Sequence, residues 1–299
     1  MRGTRISILS LFAAALSAQT LYLPLDEGNL WIYDGPAGTF TVEVGRSAVF
    51  RGNEYRAVRG LRGDGETWLR NDAEGRILMW DEAARQERVF LDAAAPEGVP
   101  WDAWADPCNR QARIETRNGK TKGPVGEFDN ALVVRYLPGP CMDAGLELDE
   151  WLPWVGLLRR VRITIAGPRA SHLVYARLGG VTHIAAPETG FSLMLTPAGD
   201  ALLARMTVKH TLDWPLVLNF SSSQRFDIVV YDANGKEVYQ WSRGRAFLTV
   251  MGREAIRGEK TWVAELPAAE WPPGEYAVHA WITAMEGALY SATALYRRP

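Results

Sequence analysis

The chain has 299 residues, 47% of them hydrophobic and 23% charged, with a formal charge of −2. Such a composition supports packed cores, lacks the basic excess of a nucleic-acid or membrane-surface binder, and excludes collagen, coiled coil, disordered tail and disulfide-dense toxin. The length suits two ordinary domains, and the outliers are 12 Trp and only 2 Cys.

Arg2 and Arg5, with no acid between them, precede an apolar run from Ile6 to Leu16, and small residues Ser17 and Ala18 follow. This is the order of a secretory signal peptide, residues 1–18, with cleavage expected after Ala18. A buried N-terminal helix is the bland alternative. About 11 apolar residues fall short of the ~20 that span a bilayer, and no cysteine follows to carry a lipid anchor. The expectation is a secreted or periplasmic protein without a membrane span after cleavage, carrying 31 basic residues against 35 acidic ones.

Residues 19–185 read as one mostly-β domain. Short runs that alternate apolar and polar residues, or are rich in β-branched and aromatic ones, recur at 41–44, 54–58, 67–70, 76–80, 88–91, 113–116, 131–136, 157–165 and 173–178. Gly-containing turns between them favour antiparallel hairpins over βαβ units. Only 81–86 invites a helical turn. Cys108 and Cys141 fall in this stretch. They have neither CxxC spacing nor nearby His ligands for zinc, and no His between Ser47 and Ser171 serves a catalytic thiol. In an oxidising compartment a bridge between them closes a long loop, worth about 3–4 kcal/mol; two buried free thiols are the alternative.

A Pro-containing segment at 185–190 marks the expected boundary. Beyond it strands are expected at 191–196, 201–211, 216–220, 225–231, 237–241, 246–250, 260–266, 275–283 and 289–296. In the eighth of these, Tyr276, Val278, Ala280 and Ile282 share a face. So many short strands within 186–299 predict an immunoglobulin-like β-sandwich, making the whole chain all-β: an antiparallel β-domain followed by a sandwich.

The run MTVKHTLDWPLVLNFSSSQRFDIVVYDANGKEVYQWSRGRAFLTV, Met206 to Val250, has an ordered set of motifs. A strand with a polar tail leads to Phe-Ser-Ser-Ser-Gln-Arg-Phe-Asp, then a hairpin Asp-x-Asn-Gly-Lys-Glu, then an aromatic-Trp-Ser strand. Gly258-Glu259 and PPGEYAVHAWITA, Pro272 to Ala284, complete the pattern. Over about the last 100 residues this resembles the BsuPI family, named after a bacterial intracellular proteinase inhibitor. YLPLDEGNLWIY and CMDAGLELDEWLPWVGLLRR resemble uncharacterised exported bacterial β-domains, which implies no chemistry.

The BsuPI resemblance implies proteinase binding, and export directs it to an extracytoplasmic serine proteinase. Two loops are candidates: the turn at Ser221, Ser222 and Ser223, and the connection carrying Arg243 and Arg245, either of which could enter an acidic specificity pocket. Both also read as ordinary polar hairpin ends. A second reading, from a different class, is a carbohydrate-binding or structural envelope protein. Bridging Cys108 to Cys141 brings Trp101 and Trp104 towards Trp151 and Trp154, as an aromatic platform if exposed and as core if buried.

Asp232-Ala233-Asn234-Gly235 resembles the start of a calcium loop but lacks the later ligands, and reads as a hairpin turn. The acidic run Asp143, Glu147, Asp149 and Glu150 reads as a solvated face rather than a metal site. The four His are scattered, and no nucleophile, zinc, P-loop or dinucleotide motif is present. No metal, cofactor, nucleic-acid partner or catalytic residue is expected, and the oligomeric state is left open.

Overall fold

The computed structural model describes residues 20–299 apart from 142, 181 and 286–289. The signal-peptide expectation, 1–18, lies outside these residues. The described chain is all-β, with a single short 3₁₀ turn at Ala268–Glu270. No helix among the described residues is long and apolar enough to cross a membrane.

The first thirteen strands form one antiparallel sheet. Six run in sequence: β1 (Leu30–Asp34), β2 (Phe40–Phe50), β3 (Asn53–Gly60), β4 (Gly63–Asn71), β5 (Arg76–Asp81) and β6 (Gln86–Asp92). Six more follow: β7 (Trp101–Asp102), β8 (Gln111–Gly123), β9 (Gly126–Tyr136), β10 (Gly145–Leu152), β11 (Gly156–Ile163) and β12 (Arg169–Leu178), with β13 (Thr182–Ala185) added beside β12. Each arm is a meander of neighbours, and the arms join where β1 pairs with β12. At the far edges the Trp104 N–H donates to the Val89 carbonyl at 2.9 Å, so the sheet curls into a barrel. Its interior holds Trp31, Tyr33, Val58, Leu69, Phe90, Ile114, Val134 and Trp151.

Two glycines permit close strand approach. Gly60 has φ +79°, and a Cβ there would lie 1.8 Å from the Thr41 carbonyl oxygen. Gly156, at φ +122°, would push a Cβ to 2.9 Å from Trp31 Nε1. Each position favours glycine for both reasons.

The remaining strands are β14 (Thr189–Ala198), β15 (Ala201–His210), β16 (Leu216–Phe220), β17 (Phe226–Asp232), β18 (Glu237–Gln240), β19 (Gly252–Ile256), β20 (Gly258–Leu266), β21 (Gly274–Ile282) and β22 (Ser291–Arg298). They make sheets β14-β15-β20, β16-β19 and β18-β17-β21-β22. Alternate residues of β15, β16, β17 and β21 interlock in one core with Trp271 and Tyr290, which is sandwich packing. Tyr276, Val278, Ala280 and Ile282 form the buried face of β21, as their alternation predicts. Among the described residues, no strand of the first thirteen pairs with one of the remaining nine.

Three expectations change. Residues 246–250 are not a strand: they run irregular between β18 and β19, because no strand among the described residues supplies them a ladder. Residues 82–85 form a turn rather than helix, closed by the Ala84 N–H donating to Asp81 Oδ1 at 3.0 Å. The acidic run that reads as a solvated face is largely β10. In it Asp149 is fully buried and Glu150 nearly so, because arginines of β11 pair with them.

Candidate functional site

The surface that best suits a macromolecular partner is the long connection from Trp241 to Met251 together with the serine turn. Arg245 to Met251 adopts no regular structure, and Leu248, Val250 and Met251 expose 71%, 61% and 68% of their surface. Exposed apolar side chains in a row on one loop mark an interaction site more than a monomer surface. The loop is nonetheless tied down. The Ser223 N–H donates to the Leu248 carbonyl at 2.9 Å, and the Leu248 N–H donates to Ser223 Oγ at 2.9 Å. Phe247 tucks against Trp241, ring centroids 5.9 Å apart, and Trp241 rests on Phe226 at 4.3 Å.

Both ends are anchored by charged side chains, one of them buried. Asp227, buried on β17, accepts from Ser242 Oγ at 2.6 Å, the Ser242 N–H at 3.1 Å and Gln240 Nε2 at 3.0 Å. Arg225 pairs with Glu254 at 2.6 Å, donates to the Ser222 carbonyl at 2.8 Å and stacks over Phe220. The structure thus brings Ser221, Ser222 and Ser223 beside the 241–251 connection. Arg243 is paired with Glu237, and Arg245 lies over Trp241 at 4.4 Å while donating to the Trp241 carbonyl at 2.8 Å. The exposed apolar side chains are Leu248 and Val250, which fall within the strand expected at 246–250, and Met251 just beyond it.

The tryptophan pairs do not assemble into one platform. Cys108 and Cys141 are bonded, with Cα atoms 5.1 Å apart. Trp151 is nevertheless fully buried in the barrel, while Trp154 is half exposed in the β10–β11 turn at φ +66°. Trp104 lies between two guanidinium groups, Arg88 at 4.1 Å and Arg110 at 5.2 Å. It joins Trp68 and Trp80 around a 410 Å³ cavity. Trp80 stacks on Phe50, with Arg51 over its ring, and Arg46 lies over Trp68. Sugar-stacking needs an open ring face, and each of these three rings already has a guanidinium group over it. Nearby, burial and a hydrogen bond to Glu87 push the Tyr55 hydroxyl up to about 12.

Inside the barrel, Arg160 donates to Asp149 through Nε at 2.8 Å and Nη2 at 2.7 Å, and through Nη1 to the Leu61 carbonyl at 2.6 Å. The Tyr136 hydroxyl donates to Asp149 at 2.9 Å. Burial opposes the Arg160 charge, but Asp149 outweighs it and holds the guanidinium above its ordinary value; burial also pushes Tyr33 and Tyr136 up. All these groups are hydrogen-bonded, so the network is a staple of the barrel rather than a reactive centre.

Two of the scattered histidines meet where barrel and sandwich touch. Asp34 of β1 accepts from Thr39 Oγ1 at 2.6 Å and from Trp214 Nε1 at 3.0 Å. His210, fully buried at the end of β15, lies 3.4 Å from Asp34 and hydrogen-bonds the Trp214 carbonyl through Nε2 at 3.0 Å. His172 of β12 stacks on Trp214. Burial pulls both histidines below their ordinary value, against the opposing pull of Asp34, with Arg159 adding to the effect at His172. Sequence distance hid this cluster, since Asp34 and Trp214 are 180 residues apart.

Residues 190–287 match the family described as intracellular proteinase inhibitor, BsuPI, about a third of the chain. That span holds both candidate loops. No curated protein matches the chain. Among solved structures it is similar to a candidate lipoprotein from Parabacteroides distasonis, at 12% identity and a TM-score of 0.31, covering 52% of this chain and 98% of that one.

Proposed function

We propose that this chain is a proteinase-binding protein acting outside the cytoplasm, and that the sandwich presents the 242–251 connection to the proteinase cleft. The observation that carries the reading is one loop, inside the span matching an inhibitor family, that is both exposed and clamped. Proteinases bind their targets as extended chain. A segment held in place before binding loses little entropy on docking. The serine turn Ser221–Ser223 acts as the bracket. Arg243 and Arg245 act at the rim, since each already has an intramolecular partner.

With the arginines so held, Leu248, Val250 and Met251 are the side chains offered to a specificity pocket. An apolar-pocket serine proteinase is the expected partner, and binding needs no metal, cofactor or catalytic residue from this chain. Residual activity of secreted subtilisin-like, chymotrypsin-like and trypsin-like proteinases, measured with the full chain added, tests the reading. Inhibition of the first two classes, weakened at least tenfold by Leu248→Asp with Met251→Asp, is expected. Absence of inhibition at micromolar concentration in all three classes overturns it, as does equal inhibition by the double variant.

A further inference from the structure

A groove of about 670 Å³ opens at one end of the barrel, between the β3–β4 turn, the 106–107 loop and Met285 of the sandwich. Four guanidinium groups line it, those of Arg59, Arg62, Arg160 and Arg162. Three are neutralised locally: Arg59 by Glu66 at 2.9 Å, Arg160 by Asp149 at 2.7 Å and Arg162 by Asp106 at 2.9 Å. Arg62 has no ion pair or hydrogen bond among the described residues, and its Nε is shielded from solvent without a partner. A buried charged donor left unsatisfied is costly, and native structures normally supply an acceptor.

We propose that this groove binds one small amphipathic anion, its carboxylate or phosphate head group received by Arg62. The charge count leaves one unmatched positive charge, which suits a single anionic group. Carboxylate and phosphate both present paired oxygens that match the guanidinium fork. The groove's other walls include Phe40, Pro107 and Met285, which give an apolar body a place beside the charged head. The volume lies within the range of small-molecule sites. Arg62 is far in sequence from the proteinase-facing loop, so this site stands independently of the inhibitory reading.

Calorimetric titration of the full chain with decanoate, decyl phosphate, decanol and inorganic phosphate tests the proposal. Decanoate or decyl phosphate should bind at micromolar concentration, with the tighter of the two identifying the head group. Decanol and inorganic phosphate should bind at least tenfold more weakly. Arg62→Gln should weaken the better anion at least tenfold with an unchanged thermal midpoint, and Arg62→Lys should recover part of the loss. Met285→Ala should weaken decanoate while leaving its dependence on Arg62 intact. Equal binding of decanol and decanoate overturns the proposal, as does undiminished binding by Arg62→Gln or no binding of either anion.

Discussion

Arg160 makes three hydrogen bonds inside the barrel, two to Asp149 and one to the Leu61 carbonyl. Replacing it with Met keeps much of the apolar stem but leaves Asp149 with only the Tyr136 hydroxyl among the described residues, and leaves the Leu61 carbonyl bare. Breaking a buried pair this way costs about 3–5 kcal/mol, because a charge stays behind without compensation. That is a large share of the roughly 5–15 kcal/mol by which folded domains are stable. In urea, with a slope of about 2–3 kcal/mol/M, the midpoint of Arg160→Met should fall by about 1–2.5 M. Combining Arg160→Met with Asp149→Leu removes the stranded carboxylate and should restore about half of the loss. Equilibrium unfolding followed by tryptophan fluorescence reads both, since Trp31 and Trp151 lie in the same core. An Arg160→Met variant within 1 kcal/mol of the parent would refute the reasoning, and so would a double variant whose loss is the plain sum of the two single ones.

Replacing Cys108 and Cys141 together by Ala should cost about 3–4 kcal/mol through the unfolded state, seen as a thermal midpoint lower by about 6–15 °C. His210 and His172 both have their folded-state values lowered by burial, so the unfolded chain binds protons more readily. The stability they contribute is therefore present above pH about 6.5 and lost as pH falls below it. Urea midpoints from pH 7.5 to 5 should decline, and His210→Gln should flatten part of that decline. Ser223→Ala removes one of the two bonds holding Leu248, worth about 1 kcal/mol, so cleavage within 245–251 by a non-target protease should rise roughly fivefold while the circular dichroism stays unchanged.

The alternating strands and the sandwich could be read from side-chain period alone, because one face of each is buried and the other wet. β10 escaped such a reading. Glu147, Asp149 and Glu150 carry the signature of a solvated face, and pairing with the arginines of β11 makes burial of Asp149 and Glu150 tolerable. The opposite failure occurs at 246–250, where Phe247, Leu248 and Val250 have strand propensity but no partner strand among the described residues. Propensity describes a fit to a pleated neighbour, and here the neighbour is missing. The cysteine bridge was legible through the absence of any alternative chemistry. The Asp34–His210–Trp214 cluster and the Arg62 groove were not, because they join residues that only the fold brings together.

The pairing of β1 with β12 sets a schedule for the growing chain. Trp31 meets Ala176 across that seam, 145 residues later. At synthesis rates of about 5–20 residues per second, β1 waits roughly 7–30 s for its second neighbour. Its five residues, Leu-Trp-Ile-Tyr-Asp, are all buried in the finished barrel, so throughout that interval one flank of a sticky strand is open to other chains. Barrel closure is also a contact of very high order, which slows folding. The yield of this protein is thus expected to depend on how β1 is guarded during those seconds more than on the stability of the completed fold.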